Sequence, residues 1–341
     1  MKRIVITGDI HYKGVNPKAR LDNYQEAITE KLREVYIIAQ AKKADAIAIP
    51  GDLTHSPNLA WGTVADLAML LKEAPCPVLT IDGNHDGWGG NPASKIRTPY
   101  GLLARLGLVW DLTEEPFEIN HNENDHEFNI AITGHSFTAD TDTEAGKDQF
   151  FPPPHLGEWG ERGDRVSIHV VHSMLMDHAP GHDMRHTLIS QVETTANVII
   201  SGHDHTGFGV IRRDDGVLFI NPGALCRLSA HASEIERQVQ VAVLTINDDG
   251  QYSAELVSLL NARPGDQVLS REHIEEAQAR NEKLDEFLSL LASEGESKFL
   301  EVRDIVEDIA ARENIPANVK AETLGRIGRA RERVAKSEVA G

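Results

Sequence analysis

Cysteine is nearly absent from this sequence. Cys76 and Cys226 are its two cysteines in 341 residues, and they lack the C-x-x-C spacing that is typical of redox motifs and zinc sites. Two cysteines in a chain of this length do not make the disulfide framework of a small secreted protein. We therefore expect two ordinary, mostly buried thiols.

Long hydrophobic runs are also absent. No stretch approaches the roughly 18 to 20 consecutive apolar residues that a membrane-spanning helix requires. At the N-terminus, two basic residues lead directly into a short β-branched run, without the longer apolar region and small-residue cleavage site of a secretory signal. These absences predict a cytoplasmic protein without a membrane partner.

Positive charge is scarce. The chain has 34 lysines and arginines against 53 aspartates and glutamates, which gives a net charge of −19. Such acidity opposes non-specific binding to nucleic acid, for which a basic surface is the usual sign. The objection is weakened because bound divalent cations would invert the local field and because arginines cluster near the C-terminus. A solvated helix face is the simpler interpretation of that cluster, which comprises Arg326, Arg329, Arg331 and Arg333.

The first third of the chain alternates strands and helices. Three short apolar strands are predicted at Lys2 to Thr7, Ala46 to Ile49 and Val78 to Ile81, and each leads to a glycine beside an Asp, Asn or His. Helical spacing of apolar residues predicts helices at Leu21 to Lys43 and at about Asn58 to Glu73. Because ligands gather at the carboxyl ends of strands in α/β sheets, these polar residues lie where a site is expected.

Strands dominate from about Phe117 onward, with one predicted helix near His186 to Thr195. Residues 120–127 and 138–161 are polar and predict surface excursions. This mixture implies an α/β fold of two packed mixed β-sheets flanked by helices. The predicted strands are Phe128 to Thr133, Val166 to Val171, Val198 to Ser201, Gly209 to Ile211, Val217 to Ile220, Gln238 to Ile246 and Tyr252 to Leu260.

The composition changes around residues 262–267. We predict a main domain over residues 1–262 and a small C-terminal helical domain over residues 268–338, which either binds a partner or packs on the main domain. Its first helix would be capped by Ser270, and its last would be opened by Pro316. The predicted helices are Ser270 to Ala292, Phe299 to Ala311 and Ala317 to Arg333.

Five short segments carry Asp, Asn and His side chains, and each follows a predicted strand directly. Mixed oxygen and imidazole ligands suit Mn, Fe, Zn or Co better than a structural zinc site or a calcium cage. Seven candidate ligands are too many for one ion, but they suit two ions that share a carboxylate. Each segment alone is a weak signal, so the prediction rests on all five in this order. They are Asp9-Ile10-His11, Gly51-Asp52, Gly83-Asn84-His85-Asp86, His172 and Gly202-His203-Asp204-His205.

These segments resemble the motifs of the calcineurin-like metallophosphoesterase superfamily, which read D-x-H, GD, GNH(D/E), H and GHxH in the same order. The resemblance covers roughly residues 1–260 and implies a fold of two mixed sheets flanked by helices, in agreement with the predicted strands. It also implies the metal ligands. One ion would be held by Asp9, His11 and His205 and the other by Asn84, His172 and His203, with Asp52 bridging both.

Two such ions would clamp phosphoryl oxygens and lower the pKa of a shared water. By the same resemblance, His85 stabilises the transition state or protonates the leaving group. Asp86 either orients a neighbour or is a turn residue, and Asp204 faces away from the metals. Substrate contacts are hypotheses for His55 and His135, which can equally be loop residues.

Three more histidines, His178, His182 and His186, lie in a segment that contains Pro and Gly. A loop at the rim of the site is a simpler interpretation of this segment than a third metal.

Within the superfamily, the sequence is most similar to SbcD-type DNA exonuclease subunits. Residues 51–56 (GDLTHS) resemble their GDLFH segment, and residues 221–224 (NPGA) resemble their PGS segment. The resemblance implies a DNA exonuclease or endonuclease in repair or recombination, with two divalent ions, Mn first and Fe or Zn as alternatives. It also implies an SbcC-like ATPase partner that binds the C-terminal helices, and a homodimer stays open.

Two alternatives remain. A small-molecule phosphodiesterase acting on cyclic nucleotides or nucleotide conjugates is favoured by the acidic charge and by the lack of a long basic groove. A scaffold without catalysis that works through its helical tail is the other. The complete set of ligands in all five segments argues against the scaffold.

Overall fold

The computed structural model describes residues 1–123, 126–153, 165–181, 183–272, 306, 310 and 315–326. The chain divides into two compact units, Met1–His273 and Ile274–Gly341. Short 3₁₀ helices lie at Pro92–Arg97, Glu144–Phe150 and Ile189–Gln191. The other elements, in chain order, are β1 (Lys2–Ile6), α1 (Tyr24–Lys42), β2 (Ala46–Ile49), α2 (Trp61–Leu71), β3 (Val78–Thr80), α3 (Pro99–Arg105), β4 (Trp110–Asp111), β5 (Phe117–Glu123), β6 (His126–Gly134), β7 (Arg165–Ser173), β8 (Leu175–Met176), β9 (Thr187–Leu188), β10 (Val198–His203), β11 (Gly209–Arg212), β12 (Leu218–Asn221), α4 (Ala232–Glu236), β13 (Gln240–Ile246), β14 (Tyr252–Ser258) and α5 (Gly265–Val268).

Two six-stranded mixed sheets form the centre of the first unit. One has the strand order β14-β13-β1-β2-β3-β4, and the other has the order β11-β12-β10-β7-β6-β5. In the first sheet, β1, β2 and β3 are parallel, whereas β13 and β14 add antiparallel pairs. In the second sheet, β6, β7, β10 and β12 are parallel. The predicted fold class, two packed mixed sheets with flanking helices, is confirmed.

Alternation along β1 explains how the layers pack. Ile4 and Ile6 lie in a buried cluster with Ile132 and Ile168 of the second sheet, so they face the interior between the sheets. Val5, between them, lies in a second cluster that includes residues of α1. Successive strand residues point to opposite faces, so a continuously apolar strand is buried on both sides. Burial of each such side chain contributes roughly 1.5 to 3 kcal/mol.

The first helix is shorter at its start than predicted because it has a defined cap. The Asn23 side chain accepts a hydrogen bond from the Glu26 N–H, and α1 begins at Tyr24. At its other end Lys43 adopts a left-handed conformation, with φ 52°, which ends the helix. Helix α2 likewise lies inside its predicted range of residues 58–73.

The predicted helix near His186 to Thr195 is wrong. Thr187–Leu188 is strand β9, paired with β8, and a 3₁₀ turn at Ile189–Gln191 follows. The Thr187 N–H donates to the Met174 carbonyl, while Ile189 and Val192 pack into a small buried cluster with residues of β7, β10 and β12. These tertiary contacts override the local helical spacing.

The two predicted surface excursions contain regular structure in their described parts. Residues 120–123 belong to β5, which forms an antiparallel hairpin with β6, so backbone pairing compensates for the polar sequence. Within residues 138–161, the 3₁₀ helix at Glu144–Phe150 buries Gln149 and Phe150. Residues 124–125 and 154–164 lie outside the described residues.

The C-terminal prediction is largely outside the described residues. Residues 317–326 are helical and follow Pro316, as predicted, and Val306 and Ala310 are also helical. The Ser270 hydroxyl accepts from the Glu272 N–H, but the helix that it would cap is not among the described residues. The helical domain over residues 268–338 therefore stays a prediction. In the described part of the chain, no helix has the length and apolar character needed to cross a membrane.

Candidate metal centre

The loops that follow β1 and β2 are tied together by backbone hydrogen bonds. The N–H groups of Ile10 and His11 both donate to the Asp52 carbonyl, at 3.2 and 2.8 Å. The Asp9 carbonyl in turn accepts from the Leu225 N–H at 2.9 Å, which brings in the segment after β12. These strand ends therefore meet at one edge of the sandwich, where the polar segments were expected.

Asp9, His11 and His205 converge at this edge. The Nε2 atoms of His11 and His205 are 3.1 Å apart. The Asp9 Oδ2 atom lies 3.3 Å from His205 Nε2 and 3.8 Å from His11 Nε2. Three donor atoms facing one another in this way can hold one cation.

Asn84, His172 and His203 form a second group beside the first. The Asn84 Oδ1 atom is 2.9 Å from His172 Nε2, and donor atoms of Asp52, His172 and His203 lie within 4.8 Å of one another. The Nδ1–H of His172 donates to the Pro50 carbonyl at 2.7 Å. That bond leaves Nε2 as the ring atom that faces the group, as metal ligation requires.

Asp52 stands between the two groups. Its Oδ2 atom is 3.2 Å from His11 Nε2 and 3.4 Å from His172 Nε2. Its Oδ1 atom accepts from the His85 N–H at 2.8 Å. The structure thus brings together all seven residues predicted as ligands and places Asp52 where a bridging carboxylate would lie.

The sequence and the fold together identify the family. A family model described as calcineurin-like phosphoesterase matches residues 2–207, more than half of the chain. The chain belongs to the calcineurin-like phosphoesterase family. It is therefore a metal-dependent phosphoesterase.

Three solved structures that are similar to this phosphoesterase have low sequence identity to it. A dimetal phosphatase from Danio rerio is 10% identical, with a TM-score of 0.47, over 75% of this chain and 98% of that chain. The phosphoesterase Yfce from E. coli is 14% identical, with a TM-score of 0.32, over 75% and 98%. An archaeal phosphodiesterase is 15% identical, with a TM-score of 0.32, over 75% and 99%. No curated protein is significantly similar in sequence.

The centre contains two buried carboxylates, and their charge bears on whether divalent ions fit there. Asp9 and Asp52 are almost fully buried. Among the described residues, the side chains within ion-pair distance of these carboxylates are all histidines. Buried carboxylates without a lysine or arginine partner need another source of positive charge. Two divalent cations held by N and O donors meet that need.

The imidazoles are held in different protonation states. Burial lowers the pKa of His11 to about 3. Burial also lowers the pKa of His203 to about 4, assisted by the positive charge of His172. At His172 burial acts in the same direction, but the adjacent Asp52 carboxylate outweighs it and raises the pKa to about 10. In return, His172 and His11 hold the pKa of Asp52 below its ordinary value despite its burial. His11 and His203 are therefore neutral, the form that binds metal, whereas His172 would give up its Nε2 proton when a metal ion binds.

The backbone of the centre is strained. His11, Asp52 and His203 have φ values of 48°, 49° and 77°, a region that costs a non-glycine residue on the order of 1 to 3 kcal/mol. Strain persists where the surrounding structure over-determines it, and such residues concentrate at functional sites. Three of the predicted ligands are therefore held in a strained backbone conformation.

Two motif glycines are required by close packing. A Cβ at Gly83 would lie 2.2 Å from Asp52 Oδ1, and a Cβ at Gly202 would lie 2.4 Å from the Pro50 carbonyl oxygen. A Cβ at Gly202 would also lie 2.6 Å from Asp9 Oδ1. Glycine thus precedes the predicted ligands Asn84 and His203 because no side chain fits there.

His85 lies beside the two groups and is not part of them. Its Nδ1–H donates to the His55 carbonyl at 2.8 Å, and its ring lies 4.7 Å from that of His11. The His55 ring stacks on the His85 ring at 5.1 Å, and its Nδ1 lies 3.3 Å from His11 Nδ1. His55 therefore orients both of its neighbours, whereas its contact with substrate stays a prediction.

Other predicted residues take different places. His135 donates through Nδ1 to the Ser136 carbonyl and through its backbone to Val170, so its described contacts are not with the seven ligands. Asp204 accepts from the N–H and hydroxyl of Thr206, which closes a turn. His178 is exposed beside Asp177.

A third metal at His178, His182 and His186 receives no support where the chain is described. His178 and His186 belong to none of the described groups of potential ligands. His186 instead donates through Nδ1 to the Met184 carbonyl, and His182 lies outside the described residues.

Three contributors were not identified as such from the sequence. Asp86, left open as a turn or orienting residue, is buried and accepts from the N–H groups of Leu53, Thr54 and Gly83. Phe137 places its ring 5.9 Å from that of His172 and 5.8 Å from that of His203. The Pro50 carbonyl fixes His172. The position of Asp86 inside a motif was a signal for its role. Phe137 and Pro50 lie outside the five segments and contribute through tertiary contacts, so no sequence signal pointed to them.

Proposed function

We propose that this phosphoesterase is a DNA exonuclease or endonuclease of the SbcD type, acting in repair or recombination. Support comes from the SbcD-like segments at residues 51–56 and 221–224 and from the arrangement around His85. The observation that carries the proposal is the hydrogen bond from His85 Nδ1 to the His55 carbonyl. With Nδ1 engaged, Nε2 is the ring atom left to meet a substrate.

This arrangement suits the cleavage of a sugar–phosphate bond. The leaving group of a DNA phosphodiester is an alkoxide, which departs poorly unless it receives a proton. A protonated His85 can deliver that proton from Nε2. Its Nδ1–H meanwhile stays hydrogen-bonded to the His55 carbonyl, which keeps the ring in the same orientation. A phosphodiester with an aryl leaving group has much less need of this residue.

Two divalent ions at the seven ligands would supply a hydroxide nucleophile and would neutralise the phosphoryl oxygens. The chain's own part is to hold the ligands rigidly. Pro50 fixes the tautomer of His172, His55 contacts His11, and Asp86 ties the Asp52 and Asn84 loops together. Such outer contacts typically change metal affinity or activity by about 10- to 100-fold when they are removed.

The centre is partly exposed to solvent, which leaves access for a polymeric substrate. Asp9, Asp52 and His172 are buried, whereas Asn84, His85, His203 and His205 are partly exposed. The same edge also carries His55. A strand of DNA can contact these partly exposed residues from solvent.

The metal, partner and location belong to the same proposal. We take Mn as the metal, with Fe or Zn as alternatives, because all three accept N and O ligands. An SbcC-like ATPase would bind the C-terminal helices, of which residues 317–326 are described. The proposal also includes a homodimer and a cytoplasmic location.

One observation favours a second candidate. The net charge of −19 lowers affinity for a polyanion, because binding strength to DNA depends strongly on the phosphates neutralised by lysine and arginine. A small-molecule phosphodiesterase acting on cyclic nucleotides or nucleotide conjugates needs fewer such contacts.

A substrate panel separates the two functions. Single-stranded DNA, double-stranded DNA and cyclic nucleotides would each be incubated with the protein and Mn²⁺, Fe²⁺ or Zn²⁺. We expect DNA cleavage that EDTA abolishes and that His85→Ala strongly reduces. Hydrolysis of cyclic nucleotides with intact DNA would establish the second candidate, and a protein inactive on all three would contradict both.

A further inference from the structure

Trp88 presents a large aromatic side chain to solvent shortly after the segment that carries Asn84 and His85. It lies three residues after His85, and 51% of its surface is exposed. Its backbone is held firmly, because its N–H donates to Ser94 Oγ at 2.7 Å and its carbonyl accepts from the Asn91 N–H at 3.1 Å. An indole on an anchored backbone can bind a flat ligand with little loss of conformational entropy.

The turn that carries Trp88 packs against the wall of the metal centre. The Gly90 carbonyl accepts from the Ala139 N–H at 3.2 Å, and Gly90 leaves no room for a Cβ beside Ala139. Two residues before Ala139, the Phe137 ring faces the rings of His172 and His203. The turn is therefore fixed to the segment that contacts the second ligand group, and it begins three residues after His85, the residue that would protonate the leaving group.

From this placement we infer that the Trp88 indole is a stacking platform for a nucleobase adjacent to the scissile phosphate. The inference rests on the proposed nuclease function and narrows its substrate. A base inside a duplex is already stacked on both faces, so the base bound here belongs to single-stranded DNA or to an unpaired end.

The charge of the protein gives this contact particular weight. A chain with a net charge of −19 gains little affinity from long-range attraction of phosphates, whereas stacking on an aromatic ring does not depend on charge. Stacking of one base on an aromatic side chain changes affinity by about 5- to 150-fold. Trp61 is also exposed, at 77%, but it opens α2 six residues after His55, and no described contact ties it to the ligands.

The test removes the base and the indole separately. A short oligothymidylate and an oligomer of equal length with abasic sugars would be cleaved with Mn²⁺ by the unmodified protein, Trp88→Ala, Trp88→Phe and Trp110→Phe. Trp110 is the matched control because it is a partly exposed tryptophan on β4, with its ring against Phe117. Urea unfolding would establish that each variant is folded.

We expect the unmodified protein to favour the base-bearing oligomer by about 5- to 150-fold in kcat/KM. Trp88→Ala should reduce that preference to nearly 1, Trp88→Phe should keep most of it, and Trp110→Phe should keep all of it. A structural role for Trp88 would instead slow both oligomers equally and leave the preference intact.

The outcomes distinguish this inference from the function on which it rests. Equal cleavage of both oligomers by the unmodified protein, or a preference that survives in Trp88→Ala, would overturn the stacking role and leave the nuclease standing. If neither oligomer is cleaved while a cyclic nucleotide is hydrolysed, the nuclease proposal fails and the stacking role fails with it.

Discussion

His11 and His172 approach the same atom from two different sheets. His11 follows β1 in the first sheet and His172 lies in β7 of the second, yet their Nε2 atoms are 3.2 and 3.4 Å from Asp52 Oδ2. One buried carboxylate oxygen thus joins the two ligand groups. The geometry of the metal centre therefore depends on how the two sheets pack, because a shift of either sheet would separate the two ligand groups.

Substitution of Asp52 should disable both ligand groups at once. In Asp52→Asn the shared negative charge is lost, so we expect fewer than two ions per chain and a fall in kcat/KM of at least about 10³-fold. Metal analysis of the purified protein and steady-state hydrolysis of bis(p-nitrophenyl) phosphate would measure the two effects. Asp204→Asn is the matched control, since the Asp204 carboxylate bonds to Thr206. Two bound ions and full activity in Asp52→Asn would refute its bridging position.

The role of His85 depends on the leaving group. His85→Ala should lower kcat for a DNA dinucleotide by about 10²- to 10⁴-fold, the usual contribution of a general acid. Its effect on bis(p-nitrophenyl) phosphate should be much smaller, because p-nitrophenolate departs without a proton. Parallel assays of both substrates give the ratio. His178→Ala, at an exposed histidine, serves as the control, and an equal loss on both substrates would show that His85 does not donate the proton.

Substitution by alanine should destabilise the protein at Gly202, which is closely packed, and stabilise it at Gly62, which is not. A Cβ at Gly202 would collide with the Pro50 carbonyl and with Asp9, so Gly202→Ala should lower the free energy of unfolding by about 1 to 3 kcal/mol and impair activity. Gly62 in α2 has nothing within 4 Å of an added Cβ, so Gly62→Ala should raise that free energy by about 0.4 to 1 kcal/mol. Urea unfolding in EDTA measures both, and unchanged stability in Gly202→Ala would contradict the packing.

Stability should rise with pH through the titration of Lys31. This side chain is buried and donates from Nζ to the Leu225 carbonyl. Burial, with the nearby charges of Arg20 and Arg227, lowers its pKa from 10.5 to about 7. Between these values the unfolded chain keeps a proton that the folded chain has lost, so higher pH favours the folded state.

The measurement is the free energy of unfolding of the metal-free protein at pH 7 to 10. We expect Lys31→Met to remove a rise of up to about 1.4 kcal/mol per pH unit. Lys147→Met, at an exposed lysine, should leave the pH profile unchanged. A profile of Lys31→Met that matches the unmodified protein would show that Lys31 stays protonated in the fold.

Local patterns predicted most of the fold and the motif residues. The apolar strands before Asp9, Asp52 and Asn84 are found as β1, β2 and β3, because short runs buried on both faces have a strong sequence signal. The helix expected at residues 186–195 was wrong, because a short paired strand and buried contacts decided that segment, and residues 120–123 and 126–127 form paired strands that their polar composition did not predict. Backbone pairing between distant residues leaves little trace in local composition.

The sequence by itself determined which side chains are available for chemistry. Seven Asp, Asn and His residues at predicted strand ends, with a further histidine beside them, can be recognised from short segments of the chain. Tertiary structure alone decided which of them meet and how each is oriented. The carbonyls of Pro50 and His55 set the imidazoles of His172 and His85, Asp86 joins two loops, and Ser94 holds the backbone of Trp88. These contacts join residues about 30 to 120 positions apart or depend on backbone atoms, and no residue pattern encodes them, because every residue has the same backbone carbonyl.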